Sequence, residues 1–477
     1  METLNSTQFT DSLIEAIGAN NVLLTKEDQK PYVTDWRGIF HGKAIAIVFP
    51  TNTDEVQKIV QICNEYSVGI VPQGGNTNLT GSATPEPNDI QIVLSLKKMN
   101  QIRSIDLENQ TITVEAGCIL QIIQEKAKEL NLLFPLSLAA EGSCTIGGNL
   151  ATNAGGINVL RYGNARDLCL GIEAVTADGQ IYEGLRGLRK DNTGYDLRNL
   201  MIGSEGTLGI ITSAVLKLFP APISRTVAYI AVDDFQSIAK VLLELQKKAS
   251  TELCAFEIMS KEALSLTQHH FPQLKHPIFE TSENTLLIEL DEFDENSNAN
   301  DILENVLGKA IENNEIQDVV ISSSLAQVKQ FWAIREHITL AQAKEVGNIK
   351  FDISFEISKV GSFIKSTTEL LKSKFPEIRI INFGHFGDGN LHFNICAPFN
   401  SDSNFLNVHE KEISNIVYSQ IQKFNGSISA EHGIGQLKRD HLESHRGKTA
   451  YQMMRSIKNA LDPKNLLNAN KVISTRN

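Results

Sequence analysis

The sequence is short of the patterns that mark several common kinds of site. Its six cysteines, Cys63, Cys118, Cys144, Cys169, Cys254 and Cys396, form no Cys-x-x-Cys pair. That spacing excludes zinc ribbons and iron–sulfur clusters, and reduced, buried thiols are expected. No Gly-x-Gly-x-x-Gly occurs, and the stretch RGKT at 446–449 lacks the upstream glycine of a P-loop, so the usual nucleotide fingerprints are missing. No apolar run reaches the ~18 residues of a membrane helix. The first 20 residues carry acids but no basic residue, and no apolar h-region follows as in a signal peptide. Positive charge is in deficit, with 44 basic against 56 acidic side chains and a formal charge of −12, dispersed without long runs of one sign. Nucleic-acid binding is therefore not expected. A cytoplasmic protein without a transmembrane segment is.

What is present is a chain of 477 residues, 42% of them hydrophobic, too long for one core and expected to divide into two or three domains. Residues 45–49, IAIVF, read as a buried strand. A helix to about residue 66 follows, with Thr53 as its N-cap and Val56, Ile59, Val60 and Cys63 on one face, and VGIVPQGG then completes a βαβ start. From 90 to 220 short glycine-punctuated strands dominate, and PAPIS at 220–224 marks a boundary. Beyond it, strands at 226–232, 252–258, 285–291 and 318–322 with helices at 235–248 and 301–313 give a βαββαβ pattern. That pattern predicts a split ferredoxin-like sheet with helices on one face. A helix at 325–344, a strand at 349–355, a helix at 358–373 and a hairpin over 380–396 continue this part, and 403–477 reads as mainly helical.

Glycine, asparagine and small residues concentrate in three tracts: PQGGNTNLTG (72–81), EGSCTIGGNLATNAGG (141–156) and GSEGTLGIIT (203–212). Glycine permits positive φ and close backbone approach, and successive N–H groups in such turns form anion nests. A single tract of this kind is ordinary turn chemistry. Three in one region suit a diphosphate, which neutral backbone donors can hold without a basic groove.

With RYGNARDLCLGIEAVTADG and LRKDNTGYDLRNLMIGSEGTLGIIT, these tracts resemble the FAD-binding domain of the vanillyl-alcohol-oxidase (PCMH-type) flavoproteins, in particular their D-2-hydroxyacid dehydrogenase branch. The resemblance runs from DWRG at 35–38 to LDPKNLLNANKV at 461–472. It implies an α+β protein: a PCMH-type FAD-binding domain over 1–222, a ferredoxin-like substrate (cap) domain over 223–415, and a C-terminal helical segment, 416–477, packing back on the FAD domain. It places the flavin diphosphate against Pro72, Gly74, Gly75, Asn76, Thr77, Asn78 and Gly81. The isoalloxazine and ribityl region falls to Glu141, Gly142, Thr145, Gly148, Asn153, Glu205, Gly206, Gly209, Ile211 and Asn470. Some relatives tether FAD through a histidine in the first tract; this chain has none there, so non-covalent FAD is expected.

The stretch GHFGDGNLH, 384–392, reads as a type I′ hairpin turning at Asp388-Gly389. In that register His385 and His392 stand directly opposite, close enough to converge on one ion, with Asn394 on the same face. SAEHGIG, 429–435, supplies Glu431 and His432. By the resemblance, His385, His392 and Glu431 are metal ligands, a His2Glu set that suits Zn2+ with Mn2+ as the alternative, and His432 is the catalytic base. Arg335 and Thr339 lie four apart on one helical face, and the alternation in NIKFDISF sends Lys350 to the face opposite the core. The substrate clamp of the D-2-hydroxyglutarate dehydrogenase group falls on Arg335, Thr339, Lys350, Asn394 and His432. The implied reaction oxidises a D-2-hydroxyacid, D-2-hydroxyglutarate first and D-malate next, with an electron-transfer flavoprotein or a quinone as acceptor, and a homodimer as the implied assembly. D-lactate or glycolate dehydrogenation, a metal-dependent hydrolase and a non-catalytic flavin subunit are the competing readings.

Overall fold

The protein is described by a computed structural model covering residues 5–278, 282–295, 298–345, 347–399, 401–402 and 404–474. The chain forms two compact units. The first comprises Met1–Gly155, Gly163–Pro220 and Glu431–Asn477, and the second Gly156–Tyr162 and Ala221–Ala430.

In the first unit, helix α1 (Thr53–Tyr66) buries Val56, Ile59, Val60 and Cys63. Its cap is Asn52 and not Thr53: the Asn52 side chain accepts from the Glu55 amide at 2.9 Å, while Thr53 is buried inside the first turn. The strands flanking α1 do not pair with each other. Ile47–Val48 and β1 (Gly69–Gln73) both run parallel to β2 (Gln91–Ser95), which lies between them. A second sheet is antiparallel, with β3 (Thr111–Glu115), β4 (Cys169–Val175) and β5 (Ile210–Lys217) at its centre in the order β3-β5-β4. The stretch that reads as strands also holds helix Leu120–Glu129, whose Leu120, Ile123 and Ala127 make a 3.6-residue apolar stripe. The core joins Phe9 and Leu13 from helix Ser6–Ile17 to the α1 stripe, Ile70, Ile92, Leu94 and, from near the other end of the chain, Leu467.

The second unit is built on one eight-stranded sheet. Its first four strands are β6 (Ser224–Val232), β7 (Leu253–Ser260), β8 (Asn284–Glu292) and β9 (Asp318–Ile321), in the ferredoxin-like order β9-β6-β8-β7 and all antiparallel. Helices α3 (Phe235–Lys248) and α5 (Ala299–Glu312) are not the only cover: α4 (Lys261–His270) lies between them in the chain, and Ile146–Ala151 of the first unit is α2. The two helices of the βαββαβ pattern share one face as expected, but the other face is covered as well. Every residue of β7 is buried, so both faces need cover: α3 packs on α5 on one side, and α4 with α6 (Leu325–Ala343) seals Val227, Tyr229, Met259 and Leu287 on the other. Past β7 the sheet continues through β12 (Arg379–Gly384) and β13 (Asn390–Cys396) to β10 (Asn348–Ile349), with β11 (Asp352–Ser354) also on β13. The strand expected at 349–355 is thus broken at Lys350 and Phe351. Two boundaries also differ from the sequence reading. Position 415/416 falls inside α8 (Phe405–Lys423), which follows α7 (Ile357–Lys374). Segment 156–162 belongs with the second unit, where Cys254 donates to Asn158 at 3.1 Å and the Arg161 guanidinium lies 4.3 Å from the Phe293 ring centroid.

Candidate active site

In the first unit the three glycine tracts meet. A Cβ on Gly74 would lie 2.2 Å from Thr145 Oγ1, and one on Gly75 would lie 2.0 Å from the Ser143 carbonyl. Gly206, at φ +73°, sits 3.1 Å by the same measure from Pro72. The C-terminal segment joins them: the Leu466 carbonyl accepts from the Ile70 amide and the Asn468 amide donates back to Ile70, both at 2.8 Å. Asn76, Asn153, Glu205 and Asn470 all hold left-handed backbone, a conformation that asparagine tolerates better than most residues. The side chains divide by task. Asn78 caps its own turn by accepting from the Thr80 and Ser82 amides, and its amide group donates to the His432 carbonyl at 3.3 Å. Glu205 is buried and accepts from the Ile434 and Gly435 amides at 2.7 and 2.9 Å; burial nonetheless holds its carboxyl above the usual range. Asn76 turns away to the Pro31 and Thr34 carbonyls, and Glu141 folds back on Ser137 and the Leu138 amide. Thr77, Gly142 and Gly148 lie open or half-buried at the tract edges, whereas Gly81, Gly209 and Ile211 are buried beneath them.

Two features fit these tracts to a bound cofactor. The Thr145 hydroxyl is buried without a hydrogen-bond partner, and the glycines facing it leave room that any Cβ would fill. An acceptor-rich diphosphate answers both needs.

In the second unit the imidazoles of His385 and His392 come together, but not by the expected register. Phe386–Asp388 forms a 3-10 turn, of the two central residues Asp388 and Gly389 only Gly389 takes positive φ (+80°), and His392 pairs with Phe383 in place of His385. A type I′ turn needs left-handed backbone at both central residues; Asp388 stays right-handed, and the loop lengthens to His385–Gly389. His385 therefore stands just beyond the strand end, and its ring meets that of His392 at 5.7 Å between centroids and 77° between planes. Each ring is steadied from behind. The His385 Nδ1 donates to Glu257 Oε1 at 2.5 Å, and His392 Nδ1 lies 3.9 Å from Asp352 Oδ1.

Glu257 is fully buried on β7 and also accepts from Arg335 Nε at 2.7 Å. Burial works to raise its pKa, but His385 and Arg335 together outweigh it and hold the carboxyl below the usual range. Arg335 itself is buried, with its guanidinium 4.7 Å from the Phe383 ring centroid. Asn394 projects on the same side as His392 and is engaged at both ends of its amide, donating to Gln342 Oε1 at 3.0 Å and accepting from the Phe351 amide at 3.2 Å. Lys350 is half-buried at the break between β10 and β11, and Thr339 is exposed one helical turn beyond Arg335. Sequence reasoning passed over Glu257, Asp352 and Gln342. The signal was there for Glu257: in CAFEIMS a single charge interrupts an apolar strand run, and a charge buried in a sheet requires partners.

Among the described residues no helix is long and apolar enough to cross a membrane. Glycine tracts with room and an unpartnered hydroxyl for a diphosphate, followed by a ferredoxin-like sheet carrying a titratable cluster, point to a flavin-dependent oxidoreductase. Comparison bears this out. Residues 44–184 match the family model of the FAD binding domain, and residues 221–472 that of the C-terminal domain of FAD linked oxidases. The chain belongs to the FAD-linked oxidase family. Among its relatives, the mitochondrial D-2-hydroxyglutarate dehydrogenase of Arabidopsis thaliana is 37% identical over 96% of this chain and 80% of that protein. The D-2-hydroxyglutarate dehydrogenase of Xanthomonas citri pv. viticola is 37% identical over 97% of this chain and 96% of that one. The fold is also that of p-cresol methylhydroxylase crystallised with its substrate, at a TM-score of 0.77 and 18% identity over 100% of this chain and 98% of the other. The protein is an α+β, FAD-dependent oxidoreductase with a PCMH-type cofactor domain.

Proposed function

We propose that the protein oxidises a D-2-hydroxyacid to the corresponding 2-oxo acid, with D-2-hydroxyglutarate the preferred substrate and D-malate next. The observation that carries this reading is the cluster on the second unit's sheet: two converging imidazoles beside a buried arginine, in a chain 37% identical to D-2-hydroxyglutarate dehydrogenases.

Bound non-covalently, FAD would supply the acceptor for the hydride from the substrate Cα, and a divalent ion, Zn2+ or Mn2+, on His385, His392 and Glu431 would supply a Lewis acid that acidifies the hydroxyl. The donor set suits such an ion: Nδ1 of His385 is committed to Glu257, which leaves Nε2 as the ligand atom. The backbone supports Glu431 as the third donor, since the amide of its neighbour Ala430 donates to the Asp352 carbonyl and Asp352 pairs with His392 on β13. The residues then divide the work. Arg335 takes the substrate carboxylate as a fork, Thr339 and Asn394 orient it, and Lys350 meets a second carboxylate as a point charge. His432 accepts the hydroxyl proton on its imidazole; its carbonyl is fixed by Asn78 and Thr80 of the first glycine tract. Six free, buried cysteines suit a reducing, cytoplasmic setting. The electrons would pass on to an electron-transfer flavoprotein or a quinone, and the working form would be a homodimer.

Anaerobic bleaching of the flavin absorbance across a panel of D-2-hydroxyacids tests the reading. Rapid bleaching by D-2-hydroxyglutarate, lost after chelation, is expected. Faster bleaching by D-lactate or glycolate would overturn the dicarboxylate assignment, and bleaching that survives complete metal removal would overturn the metal.

A further inference from the structure

The metal ligands and the substrate clamp share one carboxylate. Glu257 lies mid-strand on β7, fully buried between Phe256 and Ile258. Its two oxygens are divided between two partners: Oε1 accepts from His385 Nδ1 at 2.5 Å and Oε2 accepts from Arg335 Nε at 2.7 Å. An ionised carboxylate only accepts, so it dictates that His385 carries its proton on Nδ1 and presents Nε2 outward. It also uses up the Nε donor of Arg335, whose face is covered by Phe383, so a substrate carboxylate would be taken on the Nη1–Nη2 edge. We infer that Glu257 is a positioning residue that sets the orientation of the His385 ring and of the Arg335 fork together, coupling metal affinity to substrate affinity through one side chain. The inference rests on the metal-assisted reading above and deepens it.

The argument predicts what an uncharged isostere would do. A glutamine at 257 has one oxygen for two donors. If that oxygen stays with Arg335, its NH2 group faces His385 and selects the other tautomer; if it stays with His385, the NH2 group meets the Arg335 Nε–H donor to donor. Either way one partner is released.

A neighbouring residue provides the control. Glu289 on β8 is also buried on the face covered by α6, where Trp332 Nε1, about one turn before Arg335, donates to it at 2.6 Å.

The test uses the purified FAD-loaded protein and measures the apparent Kd for Zn2+ by competition with a chromophoric chelator, alongside KM and kcat for D-2-hydroxyglutarate. Glu257→Gln is expected to weaken Zn2+ about 10- to 100-fold and to raise KM, with flavin content unchanged. Glu257→Asp keeps the charge but is one methylene shorter, and should fall between wild type and Gln; it carries the test if the Gln variant does not fold. Glu289→Gln should leave the Zn2+ Kd within about twofold. Wild-type Zn2+ affinity in Glu257→Gln, or an equal loss in Glu289→Gln, would overturn the inference and leave the proposed reaction standing. A wild type that binds no divalent ion would bring down the metal-assisted reading and the inference with it.

Discussion

The sites proposed for a charged guest are built in opposite ways in the two units. The first does it with backbone: glycines whose missing Cβ atoms make room, left-handed asparagines, and a hydroxyl without a partner. The second does it with side chains whose charges are paired inside an apolar sheet, as in the His385–Glu257–Arg335 array. A backbone site fails sterically and an electrostatic one fails by charge, so substitutions should separate them.

The largest effect is expected where a clash falls on backbone. Gly75→Ala drives a methyl into the Ser143 carbonyl and should purify as colourless protein. Gly74→Ala meets a threonine side chain that can rotate away, and should keep part of its flavin; the absorbance ratio of flavin to protein decides. If both variants remain fully yellow, the first tract is not the diphosphate cradle. Next comes His385→Ala, which removes a proposed ligand while leaving the glycine tracts untouched. A yellow protein whose flavin is no longer reduced by substrate is expected in stopped-flow measurements. Lys350→Met should act on preference: losing one partner of a buried charge pair costs about 2 to 5 kcal/mol, and Lys350 is only half-buried, so the kcat/KM advantage of D-2-hydroxyglutarate over D-lactate should shrink by up to roughly two orders of magnitude. Equal losses on both substrates would instead put Lys350 on the α-carboxylate.

The smallest effect concerns stability alone. Burial raises the Glu289 carboxyl from its usual 4.5 to about 7, against the pull of Arg225. The folded chain therefore holds a proton that the unfolded chain releases between those values, and stability contributed by this group falls as pH rises through that window, by at most about 3 kcal/mol. Glu289→Gln should flatten the pH dependence of Tm between pH 5 and pH 8, and an unchanged profile would show that the carboxyl is already ionised throughout.

Much of this organisation could be read in the sequence, and the failures share a cause. The βαββαβ order, the α1 stripe and helix Phe235–Lys248 follow from apolar periodicity and caps, which are local. The crossing of β2 between its neighbours, the helices on both faces of the second sheet and the transfer of segment 156–162 depend on which surfaces remain uncovered after local structure has formed. The hairpin shows the limit most clearly. Asp388-Gly389 favours a two-residue turn, but Gly389 alone turns left-handed while the Asp388 carboxylate accepts from the Asn390 amide at 3.0 Å. The histidines were legible as a pair and not as a register. Glu257 was legible only as an anomaly in an apolar strand, because its two partners arrive from distant elements.

The hydrogen bonds between Ile70 and residues Leu466 and Asn468 also impose an order in time. The segment that closes the glycine cradle lies about 400 residues further along the chain, and so emerges roughly 20 to 80 s later at ordinary rates of translation. Until then β1 exposes an unpaired edge. The cradle is thus closed only after residues 466–468 have been made, and a ribosome stalled in the second unit would leave that edge open.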